Sequence, residues 1–251
     1  MSKPFIELID IHKCFDTNAV LKGVNLTIDQ GKITTVIGKS GTGKSVLLKH
    51  IIGLLHQDSG QLLINGIPLD RMNKKTKHGF QKELSYMFQD NALFDFLTVY
   101  ENIALPLTEK TKQSSMDIKK HVLEKMRVLG LTGTQNKYPS QLSGGMRKRV
   151  ALARALITDP KAVLFDEPTT GLDPVRKNNV HSMIAQYQKE FGFTAIIVTH
   201  DIPEIFEITQ DIAMLDRGKI IFQGTTLEIL NSDNPSVNSF IQGQNYSTKA
   251  S

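Results

Sequence analysis

The segment "KITTVIGKSGTGKSVLLKH", residues 32–50, restricts this chain more than any other. A short apolar run enters a loop with three glycines in six residues, and the loop opens onto a helical stretch. A strand, a glycine loop and a helix in that order form one unit of a parallel α/β sheet. The loop "GKSGTGKS" satisfies G-x-x-x-x-G-K-[ST] at every position. Its glycines let backbone amides wrap phosphate oxygens at a helix start, where the peptide dipoles favour an anion. Gly38, Lys39, Ser40, Gly41, Thr42, Gly43, Lys44 and Ser45 are the candidate phosphate ligands. Lys44 has the reach for the outer phosphates, and the Ser45 hydroxyl suits a magnesium ion beside them. The pattern predicts a nucleoside triphosphate site.

The remaining periodicities agree with an α/β core. "AVLF" (162–165) and "AIIV" (195–198) are short, apolar and unalternating, as expected of parallel strands buried on both faces. Before the loop, "FIELIDIHKCF" and "VLKGVNLTI" read as strands, and "GQLLINGIPL" reads as a hairpin turning at Asn65 and Gly66. The helix after the loop is expected to run through "KSVLLKHIIGLL". From about residue 91 to 159 the spacing turns helical, as in "MDIKKHVLEKMRVLGL", so a helical subdomain is inserted in the core. A chain of 251 residues suits one such domain, here 1–243, with a flexible tail over 244–251.

Composition excludes more than it selects. The single cysteine, Cys14, rules out an internal disulfide framework, and no apolar stretch reaches the 18 or so residues that span a bilayer. The opening "MSKPFIELID" lacks the apolar core of a signal peptide. Net charge is +5, from 30 basic and 25 acidic residues spread thinly, which gives no footprint for nucleic acid.

"AVLFDEP" delivers Asp166 and Glu167 at the carboxyl end of a buried strand, where α/β folds place their ligands. Asp166 suits the magnesium shell, and Glu167 suits a general base on an attacking water. Gln89, in "LSYMFQDN", and His200, in "AIIVTHD", also end apolar runs. Gln89 is a candidate for the metal or its water, and His200 for the terminal phosphate or the water. "QLSGGMRKRVALARAL" begins a basic helix that Ser143 can cap, with Gly144 and Gly145 in its first turn. Those residues alone leave two readings open, a tight loop and an anion site.

Taken in order, the phosphate loop, Gln89, "LSGGM", "VLFDEP", "GLDP" and "VTHD" resemble the nucleotide-binding subunits of ABC transporters over about residues 5–243. The resemblance implies a P-loop NTPase (RecA-like) core with an N-terminal antiparallel β subdomain and an inserted helical one. It implies hydrolysis of ATP with Mg2+ by a homodimer closed head to tail, in which Ser143, Gly144 and Gly145 bind the partner's γ-phosphate. By the same likeness Phe15 stacks on adenine, and Asp173 lies in the loop crossing the dimer interface. Lys39 replaces a frequent proline, Met146 a usual glutamine, and Thr170-Gly171 a usual Ser-Ala pair. None of these departures removes a catalytic group. "SQLSGGM", "QDNALFDFLTVYENIALPL" and "PSVNSFIQG" resemble the ATPases of Mce/Mla lipid transporters. That likeness implies phospholipid movement between inner and outer membrane. The subunit would then be peripheral on the cytoplasmic side of the inner membrane, beneath a permease dimer. An accessory cytoplasmic subunit and a periplasmic lipid-binding MCE-type protein would accompany it. Another small-solute transporter is the alternative. DNA-repair ATPases separate these motifs by a coiled coil and translation ATPases carry two cassettes; neither feature occurs here.

Overall fold

The computed structural model describes residues 4–87 and 92–247, the last four of these by their backbone alone. β1 (Pro4–Phe15) and β2 (Asn18–Asp29) pair antiparallel; β3 (Ile33–Ile37) and α1 (Lys44–Ile51) then leave that sheet. β4 (Ser59–Ile64) and β5 (Ile67–Pro68) return to it, giving the order β2-β1-β4-β5. After α2 (Lys74–Lys82) and β6 (Leu84–Met87) come three helices, α3 (Val99–Lys110), α4 (Ser115–Val128) and α5 (Gly144–Leu156). The chain continues through β7 (Ala162–Asp166), α6 (Pro174–Phe191), β8 (Thr194–Thr199), β9 (Asp211–Asp216) and β10 (Lys219–Gly224), then α7 (Thr226–Leu230) and α8 (Pro235–Ser247). The second sheet has the order β10-β9-β3-β8-β7-β6, parallel except for the β9–β10 hairpin.

Successive residues of its strands alternate between two cores, because side chains of a strand point to opposite faces. Ile33, Ile37, Val163, Phe165, Ala195 and Ile197 join the core shared with α3 to α6. Val36, Leu164, Ile196, Val198, Ala213 and Leu215 join the core shared with α1 and the antiparallel sheet. Burial on both faces explains the unalternating apolar runs, each fully buried side chain contributing roughly 1.5–3 kcal/mol.

Local signals set the helix starts. Ser143 and Asp173 cap α5 and α6 by accepting from the third amide along, and Thr98 and Glu101 form a reciprocal capping box on α3. One expectation changes, and two helical stretches add to what the sequence assigns. Helix α1 stops at Ile51 rather than reaching residue 55, because Gly53 turns left-handed with φ 79°. The lysine-rich stretch after Asn73 is a helix, held by the Asn73 cap and by one buried residue, Phe80, packed edge-on against Phe5 at 6.1 Å. Helix α8 runs to Ser247, into the segment read as a flexible tail.

Candidate active site

The phosphate loop hangs between β3 and α1. β3 is buried along its whole length, so the loop starts from a fixed point. A Cβ on Gly38 would collide with the Leu215 carbonyl oxygen of β9, so only glycine lets the strands approach here. Gly43 caps α1 in the left-handed region at φ 104°, with the Val20 side chain 2.9 Å from where a Cβ would stand. Lys44 is 5% exposed and donates to the Gly38 and Lys39 carbonyls at 2.9 and 3.1 Å.

β7 brings two carboxylates against this loop. The Ser45 hydroxyl donates to Asp166 Oδ1 at 2.8 Å, and the Tyr86 hydroxyl donates to Oδ2 at 2.6 Å. Burial, then the bond to Asp166, pushes the Tyr86 pKa far above its usual value, so the phenol stays a donor. Glu167 follows with φ 48°, a left-handed conformation unusual for a residue with a side chain. Its Oε1 lies 3.2 Å from Lys44 Nζ, and its Oε2 shares a 2.9 Å hydrogen bond with His200 Nδ1 at the end of β8. Parallel pairing of β3, β7 and β8 sets their carboxyl ends side by side, and so converges Lys44, Asp166, Glu167 and His200.

The next residues are tied down as well. Thr169 donates to Asp201 Oδ2 at 2.9 Å, and Lys177 of α6 meets Asp201 Oδ1 at 2.7 Å. Burial works against ionisation of Asp201. The bonds from Lys177 and Thr169 outweigh it and hold the pKa below the usual carboxylate value. Lys148 of α5, itself buried, donates to the Pro168 carbonyl at 2.6 Å.

Other sequence candidates lie apart. Phe15 ends β1 40% exposed, with Lys13 Nζ 5.6 Å from its ring centre, so it is not a core residue. Ser143, Gly144 and Gly145 are exposed at the start of α5 and line a cleft of ≈ 930 Å³ against α6. Arg147, Arg149 and Arg176 also line that cleft, and no residue of the phosphate loop does. Asp173 is occupied as the cap of α6, accepting from the Arg176 amide at 2.9 Å. Gln89 lies outside the described residues. Tyr86, Lys148, Lys177 and Asp201 belong to the site and were not singled out from sequence. The first three carry no motif, and only their contacts reveal them.

The donor set fits a magnesium nucleotide. Ser45 and Asp166 present a pair of hard oxygens at hydrogen-bond distance, at a helix start whose glycines leave the backbone bare. A buried lysine and a glutamate stand beside them.

Comparison with known proteins agrees. Residues 21–170 match the ABC transporter family. The intermembrane phospholipid transport ATP-binding protein MlaF of Haemophilus influenzae is 34% identical over 97% of this chain and 92% of its own. A probable ribonucleotide transport ATP-binding protein, mkl of Mycobacterium tuberculosis, is 38% identical over 95% of this chain and 67% of its own. Among solved structures, cbiO1 of Clostridium perfringens, part of the ABC transporter complex cbiONQ, superposes with a TM-score of 0.83 at 30% identity, covering 92% of each chain. The cassette MJ0796, a dimer bound to ADP and Pi in a post-hydrolysis state, gives 0.75 at 30% identity, covering 88% of this chain and 98% of that one. The likeness thus extends over both sheets and the helical insertion, and this chain belongs to the ABC transporter family as an ATP-binding subunit, an ATPase.

Proposed function

We propose that two copies of this chain close head to tail on two ATP molecules and drive a membrane permease that moves phospholipid. Gly144 and Gly145 carry the dimer reading. Both are exposed with helical backbone, and a Cβ on Gly145 would meet nothing within 4 Å. Glycine is a poor helix former, and neither residue packs a side chain that the fold needs. An anion approaching the helix start does need bare backbone there. The dimeric form of the relative MJ0796 supports the same reading.

In each site the amides of residues 38–45 cradle the phosphates, and Lys44 exchanges its loop carbonyls for phosphate oxygens. Ser45, Asp166 and Gln89 would hold Mg2+, which neutralises developing charge on those oxygens. Glu167 takes the proton of the attacking water, with His200 fixing the carboxylate through the bond at Oε2. Phe15 offers its exposed face to adenine, and Asp173 lies beside the partner at the start of α6. In closure, Ser143, Gly144 and Gly145 of the partner complete the site.

The permease reading draws on a groove of ≈ 510 Å³ lined by Tyr86, Phe94, Leu105 and Pro106. Phe94 is exposed in that lining, and the ring of Phe96, exposed outside it, lies 5.6 Å from that of Phe94. No described helix is long and apolar enough to cross a membrane. By its likeness to the MlaF relatives, the subunit would sit peripherally on the cytoplasmic face of the inner membrane, beneath a permease dimer. A small accessory subunit and a periplasmic MCE-type lipid-binding protein would complete the assembly. The MlaF relatives support phospholipid as cargo. The higher identity to mkl favours a second reading, ribonucleotide transport.

Glu167→Gln tests the mechanism. The amide cannot accept the water proton, so hydrolysis should fall ~10²–10⁴-fold while ATP binding persists and a dimer accumulates. Hydrolysis within a few-fold of wild type would remove Glu167 from its role. ATPase of the purified membrane complex, measured with phospholipid-loaded or ribonucleotide-loaded partners, separates the two cargoes.

A further inference from the structure

We infer that Lys148 is a positioning residue that couples the two sites of the dimer, holding the turn after its own chain's Glu167 to the helix that engages the partner's nucleotide. The inference rests on the shared-site reading above. Lys148 is 8% exposed, and its Nζ donates to the Pro168 carbonyl at 2.6 Å. Pro168 directly follows Glu167, whose φ of 48° the surroundings must enforce. Burying an ammonium is costly unless it is well bonded, and an apolar side chain would fill the same space more cheaply. This bond falls on the backbone beside the general base.

The helix that carries Lys148 gives the bond its meaning. α5 begins at Ser143, the residue placed against the nucleotide on the partner's loop, and Lys148 projects from the next turn of the same rigid rod. α6 repeats the arrangement: it begins at the interface residue Asp173, and one turn on its Lys177 holds Asp201, which accepts from Thr169. Two helices whose amino ends face the partner are thus tied to the turn after Glu167, α5 directly through Lys148 and Pro168, α6 through Lys177, Asp201 and Thr169. Seating of α5 on the partner's γ-phosphate therefore displaces the peptide adjoining Glu167 in the chain's own site. A displacement of about 1 Å at a catalytic group is enough to change rate ~10²-fold.

The test uses the purified full-length protein. Lys148→Met should lower kcat at least tenfold while leaving the KM for ATP within about twofold, and Lys148→Arg, which keeps a cationic donor, should restore most of the rate. Should Lys148→Met not fold, Lys148→Gln is read the same way. Tagged heterodimers then separate positioning from general damage. With Ser143→Arg and Lys148→Met on one chain, the one operable site lacks its own Lys148 and should be at least tenfold slower than in a Ser143→Arg/wild-type heterodimer. With the two substitutions on opposite chains, that site keeps its own Lys148 and should run at the reference rate. An unchanged kcat in the homodimer, or an equal loss in both heterodimers, overturns the inference. A wild-type rate per chain that is independent of dilution overturns the shared-site reading instead, and the kcat of Lys148→Met still decides whether Lys148 positions Glu167.

Discussion

The carboxyl ends of β3, β7 and β8 and the amino end of α5 treat their polar groups in opposite ways. At the strand ends every charged group is already engaged within the chain. Lys44 holds two loop carbonyls and Glu167, Asp166 holds Ser45 and Tyr86, and Glu167 holds His200. At the start of α5, Ser143 caps its own helix through the Met146 amide, and the two glycines are exposed, with only the Arg147 guanidinium near Gly144 and nothing near Gly145. The first region is built by the chain's own folding. The second carries residues whose cost the fold does not recover. Preorganisation in one place and unused exposure in the other is what a site divided between two chains requires, since only the first half can be finished before the partner arrives.

Substitutions on either side should therefore fail differently. Lys44→Ala removes the cation meant for the outer phosphates and should weaken ATP binding by roughly 10²-fold, a loss of about 2.7 kcal/mol, measured by equilibrium titration of the isolated chain. Unchanged affinity would dismantle the strand-end half of the comparison. Ser143→Arg should leave that titration within about twofold and still cut hydrolysis by roughly 10²-fold, because only closure is blocked. Loss of binding by the isolated chain in this variant would show that the two regions are not separable.

A smaller effect is expected away from both. Phe96, 75% exposed, contributes to neither core. Phe96→Glu should release the subunit from membranes and abolish permease stimulation without moving its melting temperature, followed by flotation and thermal denaturation. Continued co-sedimentation with the permease would move the docking surface elsewhere.

The smallest effect concerns His181 on α6, 2% exposed with neither ring nitrogen bonded among the described residues. Burial lowers its pKa from 6.5, with the nearby Asp201 and Glu204 opposing and Lys177 assisting. The unfolded chain therefore takes up the proton first as pH falls, and stability drops below about pH 6.5. Between about pH 7.5 and 5.5, the wild type should lose on the order of 2 °C more melting temperature than His181→Leu. Parallel curves would assign the acid sensitivity to other groups.

These contrasts also explain what could be read from the sequence. The phosphate loop, the Asp166-Glu167 pair and the capped start of α5 were legible because their chemistry needs contiguous residues in a set order. The buried strands were legible because burial on both faces forbids alternation. Tyr86 and Lys148 were not, since each acts through a partner far along the chain, Asp166 and Pro168, and neither residue type announces such a bond. The extent of α1 was overread because the apolar pattern continues through "IIGLL" while the backbone turns at Gly53. Helix α2 was hidden by its charge: one buried phenylalanine leaves no periodicity to see.

The order of strands also bears on biosynthesis. β3 lies between β8 and β9, pairing with residues 195–199 on one side and 211–214 on the other. Gly38 meets Leu215 in that arrangement. A ribosome that has delivered half the chain has made the phosphate loop but neither strand that flanks it. Until β8 emerges from the exit tunnel β3 has two open edges, and until β9 follows it keeps one and the loop has no seat. A nucleotide therefore cannot nucleate folding of the nascent chain, and it joins only after most of the sequence has been translated. Products that stop short of β9 would present an apolar strand with an unpaired edge, a substrate for chaperones and for aggregation rather than a smaller working ATPase.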